Sequence, residues 1–153
     1  MHPRTRLSGD WDAAEVAAFL DAQIAPIRLA PQWNNGVPLP VSVWYLHEDG
    51  VLWCASLRTS RLVKALEAAP RVGFEISVND VPYRGVRGQG RVDLVPEQAE
   101  ARLEALIDRY LGDRESALAR WLLSRVADEV ALRLVPDWLV SWDYSARMGD
   151  APR

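Results

Sequence analysis

Three strand-like runs follow one another with almost nothing between them, and this narrows the fold more than any other feature. Ile27–Trp33, Pro38–His47 and Val51–Leu57 are rich in β-branched and aromatic residues, and only Asn34-Asn35-Gly36 and Glu48-Asp49-Gly50 separate them. Asn-Gly and Asp-Gly supply the positive φ that tight hairpin turns demand. A parallel pair needs a crossover of about a dozen residues or more, so these three runs predict an antiparallel meander.

The segments on either side extend the pattern. Val16, Phe19, Leu20 and Ile24 recur at helical spacing in Trp11–Gln23, with Ser8 or Asp10 as the expected cap and Ala25-Pro26 as the break. Thr59-Ser60 opens a short helix with Leu62, Val63 and Leu66 on one side, ending before Pro70. Two further strands are predicted, Arg71–Val78 and Tyr83–Leu94. The glycines of the second, Gly85, Gly88 and Gly90, fit a bulge, a barrel bend or the close approach of a ligand better than a flat ladder. Helices over Pro96–Tyr110 and Glu115–Ala127 and two short strands, Glu129–Leu134 and Leu139–Tyr144, complete the chain. The 153 residues, 49% of them hydrophobic, suit one domain over 1–153 with a sizeable core. The expected fold is mainly β (α+β): a six- to seven-stranded antiparallel split β-barrel with peripheral helices.

Composition excludes several kinds of function. A net charge of −3 argues against wrapping a polyanion such as nucleic acid. Cys54 is the only cysteine, and its setting in Val51-Leu52-Trp53-Cys54-Ala55 is that of a buried strand residue. With only His2 and His47 beside it, neither a nucleophilic thiol nor a zinc site is expected. No Ser-His-Asp set is available, and Glu48 with Asp49 sits in a turn where solvation is the expected role. The amino terminus lacks an apolar signal core, and no stretch approaches the roughly 20 apolar residues of a membrane span, so a cytoplasmic location without membrane contact is expected.

Three groups of residues are candidates for binding. Ser56-Leu57-Arg58-Thr59-Ser60-Arg61-Leu62-Val63-Lys64 brings hydroxyls, three cations and free backbone N–H groups to a strand-to-helix handover. A helix amino terminus favours anions, and arginine adds a planar fork of donors, so this segment reads either as a phosphate cradle or as a capped helix with surface cations. Pro82–Arg91 places Arg87 and Arg91 on one strand face and Arg84 on the other; its plain alternative is an edge strand blunted by charge. Seven tryptophans exceed what a chain this size usually carries; most are expected in the core or a dimer interface, and Trp33, Trp44 and Trp142 are the candidates to test for bordering a planar heterocycle. With side-chain chemistry so sparse, any catalysis would come from a bound cofactor.

In order and spacing the chain resembles the pyridoxamine 5'-phosphate oxidase-like FMN-binding split β-barrel family from about Ile24 to Tyr144. The resemblance rests on Pro40-Val41-Ser42-Val43-Trp44-Tyr45, the Asp49-Gly50 hairpin, Ser60-Arg61 opening a helix, Ala69-Pro70-Arg71-Val72-Gly73-Phe74, Pro82 to Val92, and Val140-Ser141-Trp142-Asp143-Tyr144. It implies an FMN-dependent oxidoreductase acting on a small-molecule substrate as a homodimer, with the cofactor at the subunit interface. Ser60 and Arg61 would hold the phosphate, Ser56 would lie near it or the ribityl chain, and Val41, Ser42 and Val43 would run along the ring. Arg84 and Arg87 would come from the opposite subunit. The sequence departs from the family at Leu62, where a phosphate-binding lysine is expected, leaving Lys64 or Arg58 to supply the cation. Gly85 stands where the vitamin enzyme has glutamine, and the carboxy-terminal substrate segment of true pyridoxamine phosphate oxidases is not recognisable. The alternatives are an 8-hydroxy-5-deazaflavin coenzyme in place of FMN, or a non-catalytic flavin-binding protein.

Overall fold

The computed structural model describes residues 2–33 and 35–149. Eight strands form one sheet: β1 (Arg6–Gly9), β2 (Ile27–Pro31), β3 (Val41–Val43), β4 (Leu46–Glu48), β5 (Val51–Leu57), β6 (Arg71–Ser77), β7 (Arg84–Val95) and β8 (Glu129–Asp143). Seven of them run in the order β3-β2-β6-β7-β8-β5-β4, and β1 adds to β8 in parallel. The expected return strand is divided by Trp44-Tyr45: its first half pairs with β2 and its second with β5, antiparallel in both cases. One bent segment is therefore shared by the two ends of the path, and the sheet curls into a split barrel. Among the described residues, no helix is long and apolar enough to cross a membrane.

Several expectations change in detail. The first helix, α1 (Ala13–Ala22), is capped by neither Ser8 nor Asp10, because Ser8 is part of β1 and the Asp10 carboxylate accepts from the Asp143 N–H at 2.8 Å. Asp12 caps it instead, in a reciprocal box with Glu15. The two short strands expected near the carboxyl end are one, β8, whose extra residue, Asp137, makes the bulge opposite Gln89/Gly90. β7 lies between β6 and β8, so the charge-blunted edge reading fails. Its glycines admit neighbouring backbone: a Cβ on Gly88 would stand 2.2 Å from the Trp138 carbonyl oxygen, and one on Gly90 2.4 Å from that of Val135. The turn expected at Asn34-Asn35-Gly36 includes Asn34, which lies outside the described residues.

The barrel interior is filled from the sheet by residues such as Ile27, Leu52, Phe74 and Leu139, and from α1 and α2 (Arg61–Ala68) by Leu20, Val63 and Leu66. On the outside, α3 (Ala99–Tyr110) packs on β5, with Arg102 over the Trp53 ring, and α4 (Ala117–Leu123) packs on α3; Val51 and Trp53 are buried on this face with Ala131, while Leu52 and Cys54 are buried on the other. Burial on both faces is why Val51-Leu52-Trp53-Cys54 is apolar without alternation. Cys54 is 1% exposed, and burial pushes its thiol up to about 12, as a packing residue should be. A last turn of helix, α5 (Ser145–Gly149), follows β8.

Candidate cofactor site

The handover from β5 to α2 is built by two serines. After Leu57 the chain turns tightly, the Ser60 N–H donating to the Leu57 carbonyl at 2.9 Å and the Arg58 N–H to that of Asp128 at 2.8 Å. Ser60 then caps α2, its hydroxyl oxygen accepting from the Val63 N–H at 3.1 Å. The same oxygen lies 3.0 Å from the hydroxyl of Ser56, one residue from the end of β5. The predicted pair of hydroxyls at a helix start is thus in place.

Next to this junction opens a cleft of about 390 Å³. Arg61 and Lys64 line it with Trp33, Val37 and Leu39. Residues three apart share a helix face, which puts both cations on the outer side of α2 while Leu62 and Val63 turn into the core. Lys64 is accordingly the cation that stands beside Arg61. Arg58 is exposed in the turn and lines neither this cleft nor the next. The Arg61 guanidinium sits 5.5 Å from the Trp33 ring centre, and the indole N–H of Trp33 donates to the Leu39 carbonyl at 2.9 Å.

A second cleft, also about 390 Å³, opens between β3, β5 and the pair α3–α4. Ser42, Trp44 and Ser56 form its strand wall, and Leu103, Leu106, Leu118 and Leu122 its helical wall. Strand alternation turns Ser42 out toward the cleft and sends Val41 and Val43 against the core, although Val43 still borders the opening. Trp44 is fixed by stacking on Tyr110, ring centres 5.0 Å apart and planes 9° from parallel. The Tyr110 hydroxyl donates to the Ala25 carbonyl at 2.9 Å and accepts from the Tyr45 N–H at 3.2 Å. Of the three tryptophans singled out in the sequence, two border clefts next to the junction, and Trp142 does not.

Two charged residues of this second cleft were not found by sequence reasoning. Glu129, the first residue of β8, is 4% exposed, and its carboxylate lies 3.7 Å from the Arg125 guanidinium. Burial raises its pKa above the ordinary value, against the opposing pull of Arg125. The i,i+4 spacing of Arg125 and Glu129 was visible, but nothing in a single sequence says that this residue is nearly buried at a cleft flanked by α3 and α4.

Arg84 and Arg87 lie elsewhere in the chain. Arg84 borders a surface recess with Pro26 and Pro82, and Arg87 stands on the outer face of the sheet, 5.5 Å from the Trp142 ring centre, beside Arg28, Gly73 and Gln89. Neither reaches the Ser56–Arg61 junction within one copy.

No protein-family model and no curated protein matches the sequence. Solved structures do. A conserved hypothetical protein, Rv2991, from Mycobacterium tuberculosis superposes with a TM-score of 0.78 at 25% identity, covering 97% of this chain and 94% of its own. An F420 reductase gives 0.71 at 23% identity over 85% of this chain and 98% of its own. A FAD-binding protein from Mesorhizobium loti gives 0.64 at 22% identity, covering 86% and 93%. These similarities extend over the curled sheet and its helices together. The chain has the split-barrel fold of these proteins. Within that split barrel, the β5–α2 junction and the two clefts near it gather Ser42, Ser56, Ser60, Arg61 and Lys64.

Proposed function

We propose that this split barrel binds a phosphorylated flavin at the β5–α2 junction and serves as an FMN-dependent oxidoreductase. The observation that carries the reading is the Ser56–Ser60 hydroxyl pair, with Ser56 on the wall of the largely apolar cleft and Ser60 next in sequence to Arg61, which lines the cleft bearing two cations. Arg61, Lys64 and the first N–H groups of α2 suit a phosphate dianion, because cations and the positive helix end act on the same side. Ser42 and Trp44 on the strand wall of the second cleft suit a flat, largely apolar ring. The bound flavin would supply hydride or electron transfer; the protein's share is to anchor, orient and keep water from the reacting face.

Two copies complete the site in this reading. Arg84 and Arg87 are held away from the junction of their own chain, and a homodimer would present them to the junction of the partner. A deazaflavin phosphate is the second reading, supported by the likeness to an F420 reductase, since the same cations and apolar walls suit it.

Titration of the purified protein with FMN, read by quenching of flavin fluorescence, tests the proposal. Arg61→Ala with Lys64→Ala should weaken binding at least about tenfold, equivalent to roughly 1.4 kcal/mol, with the far-ultraviolet dichroism unchanged. Wild-type affinity in the double variant would overturn the phosphate assignment. The absorbance of cofactor released from the native protein separates flavin from deazaflavin.

A further inference from the structure

The second cleft contains a group that cofactor anchoring does not use. Glu129 is nine-tenths buried, and among the described residues no group donates a hydrogen bond to its carboxylate. Its cationic neighbour, Arg125 at 3.7 Å, lies beyond hydrogen-bond reach and is turned over the Trp121 ring, 4.1 Å from its centre, and the adjacent Asp128 adds a like charge. An ionised carboxyl offers about four acceptor positions, and its oxygens are not among the fully enclosed unpaired polar atoms, so they keep an opening onto the cleft. Leu103, Leu106, Leu118 and Leu122 surround the same opening, so neither a lysine nor a serine of the helices answers it.

We infer that the α3–α4 side of this cleft seats an apolar small molecule carrying a hydrogen-bond donor, a hydroxyl or an amine, and that Glu129 is the residue that reads that donor. The cleft volume of about 390 Å³ is that of a small-molecule site; Ser42 and Ser56 stand on its strand wall, and on the leucine-lined α3–α4 side Arg125 is turned onto Trp121, which leaves Glu129 as the polar point there. Such a point rejects an otherwise identical molecule ending in an anion, because carboxylate would face carboxylate at low local dielectric. The inference deepens the cofactor reading, on which it rests for calling the molecule a substrate of the same site. Binding itself can be read without any cofactor.

Three probes with one apolar body separate the possibilities: 1-naphthylmethylamine, 1-naphthylmethanol and 1-naphthoate, titrated calorimetrically into the cofactor-free full chain. The amine and the alcohol should bind at least about tenfold more tightly than the carboxylate. Glu129→Gln, which keeps the shape and removes the charge, should bring all three within about threefold. Leu118→Trp, at a position already 46% exposed, should weaken all three alike by narrowing the opening while leaving the fold intact. Equal binding of naphthoate by the wild type, no binding of any probe, or unchanged discrimination in Glu129→Gln would each overturn the inference. FMN titration of the same variants reports separately on the cofactor reading: normal FMN affinity with lost probe discrimination, or the reverse, shows which of the two fails.

Discussion

The hydroxyl oxygens of Ser56 and Ser60 stand 3.0 Å apart, and Ser60 at the same time accepts from the Val63 N–H at 3.1 Å. One side chain thereby ends a strand, starts a helix and holds a second hydroxyl in position. Ser60→Ala removes the cap and should cost about 1 kcal/mol, measured as a lowered urea midpoint with unchanged slope. Ser56→Ala removes no cap and should leave the unfolding free energy within about 0.5 kcal/mol of wild type, so the two variants together separate the capping role from the binding role.

If the partner copy supplies Arg87, inactive variants should complement one another. Arg61→Ala and Arg87→Ala homodimers each lack one component of every site, whereas a hybrid of the two carries one intact site and one doubly altered site. Mixing after mild unfolding and refolding should restore tight FMN binding at a fraction of the sites, read by fluorescence titration. An absence of recovery, with hybrid dimers demonstrated by native mass spectrometry, would refute the shared site.

Cys54 lies in the middle of β5 with burial on both faces and a thiol pushed up to about 12. The thiolate, the reactive form, is therefore scarce at neutral pH. Ellman's reagent should modify no thiol in the native protein and one per chain in denaturant.

Glu129 should leave a mark on stability. Burial, the largest cause, raises its pKa in the folded state, so the fold disfavours the ionised form. The cost is present in full above the raised folded value, and it is relieved as pH falls through that value toward the ordinary carboxylate range. Glu129→Gln should accordingly raise Tm relative to wild type at about pH 8, and the difference should shrink at about pH 4. A difference that stays constant between the two would show that the carboxyl titrates normally.

How much of this the sequence disclosed depended on range. Hairpins were legible because Asp49-Gly50 and the strand runs beside it act over a few residues, and the Ser60 cap because its partner is three residues away. The parallel docking of β1 on β8 was not, since Arg6 meets Trp138 far along the chain and its own residues carry no strand pattern. The division of Pro38–His47 at Trp44-Tyr45 likewise depends on Tyr45, whose hydroxyl lies 2.8 Å from the Leu20 carbonyl and 2.9 Å from that of Gln23 at the end of α1. For the site, the serines and Arg61 were found because they lie within one six-residue segment, Ser56 to Arg61. Glu129 escaped because what makes it unusual is its burial at a cleft flanked by α3 and α4.

The bent segment from Val41 to Glu48 belongs to both ends of the sheet path, and Ser42, which faces the apolar cleft, lies within it. Occupancy of that cleft therefore acts on the hinge where the barrel shuts. A ligand that steadies Ser42 and Trp44 will slow amide exchange at Val43 and Leu46 together, on two different ladders, so that filling the pocket and sealing the sheet become a single event.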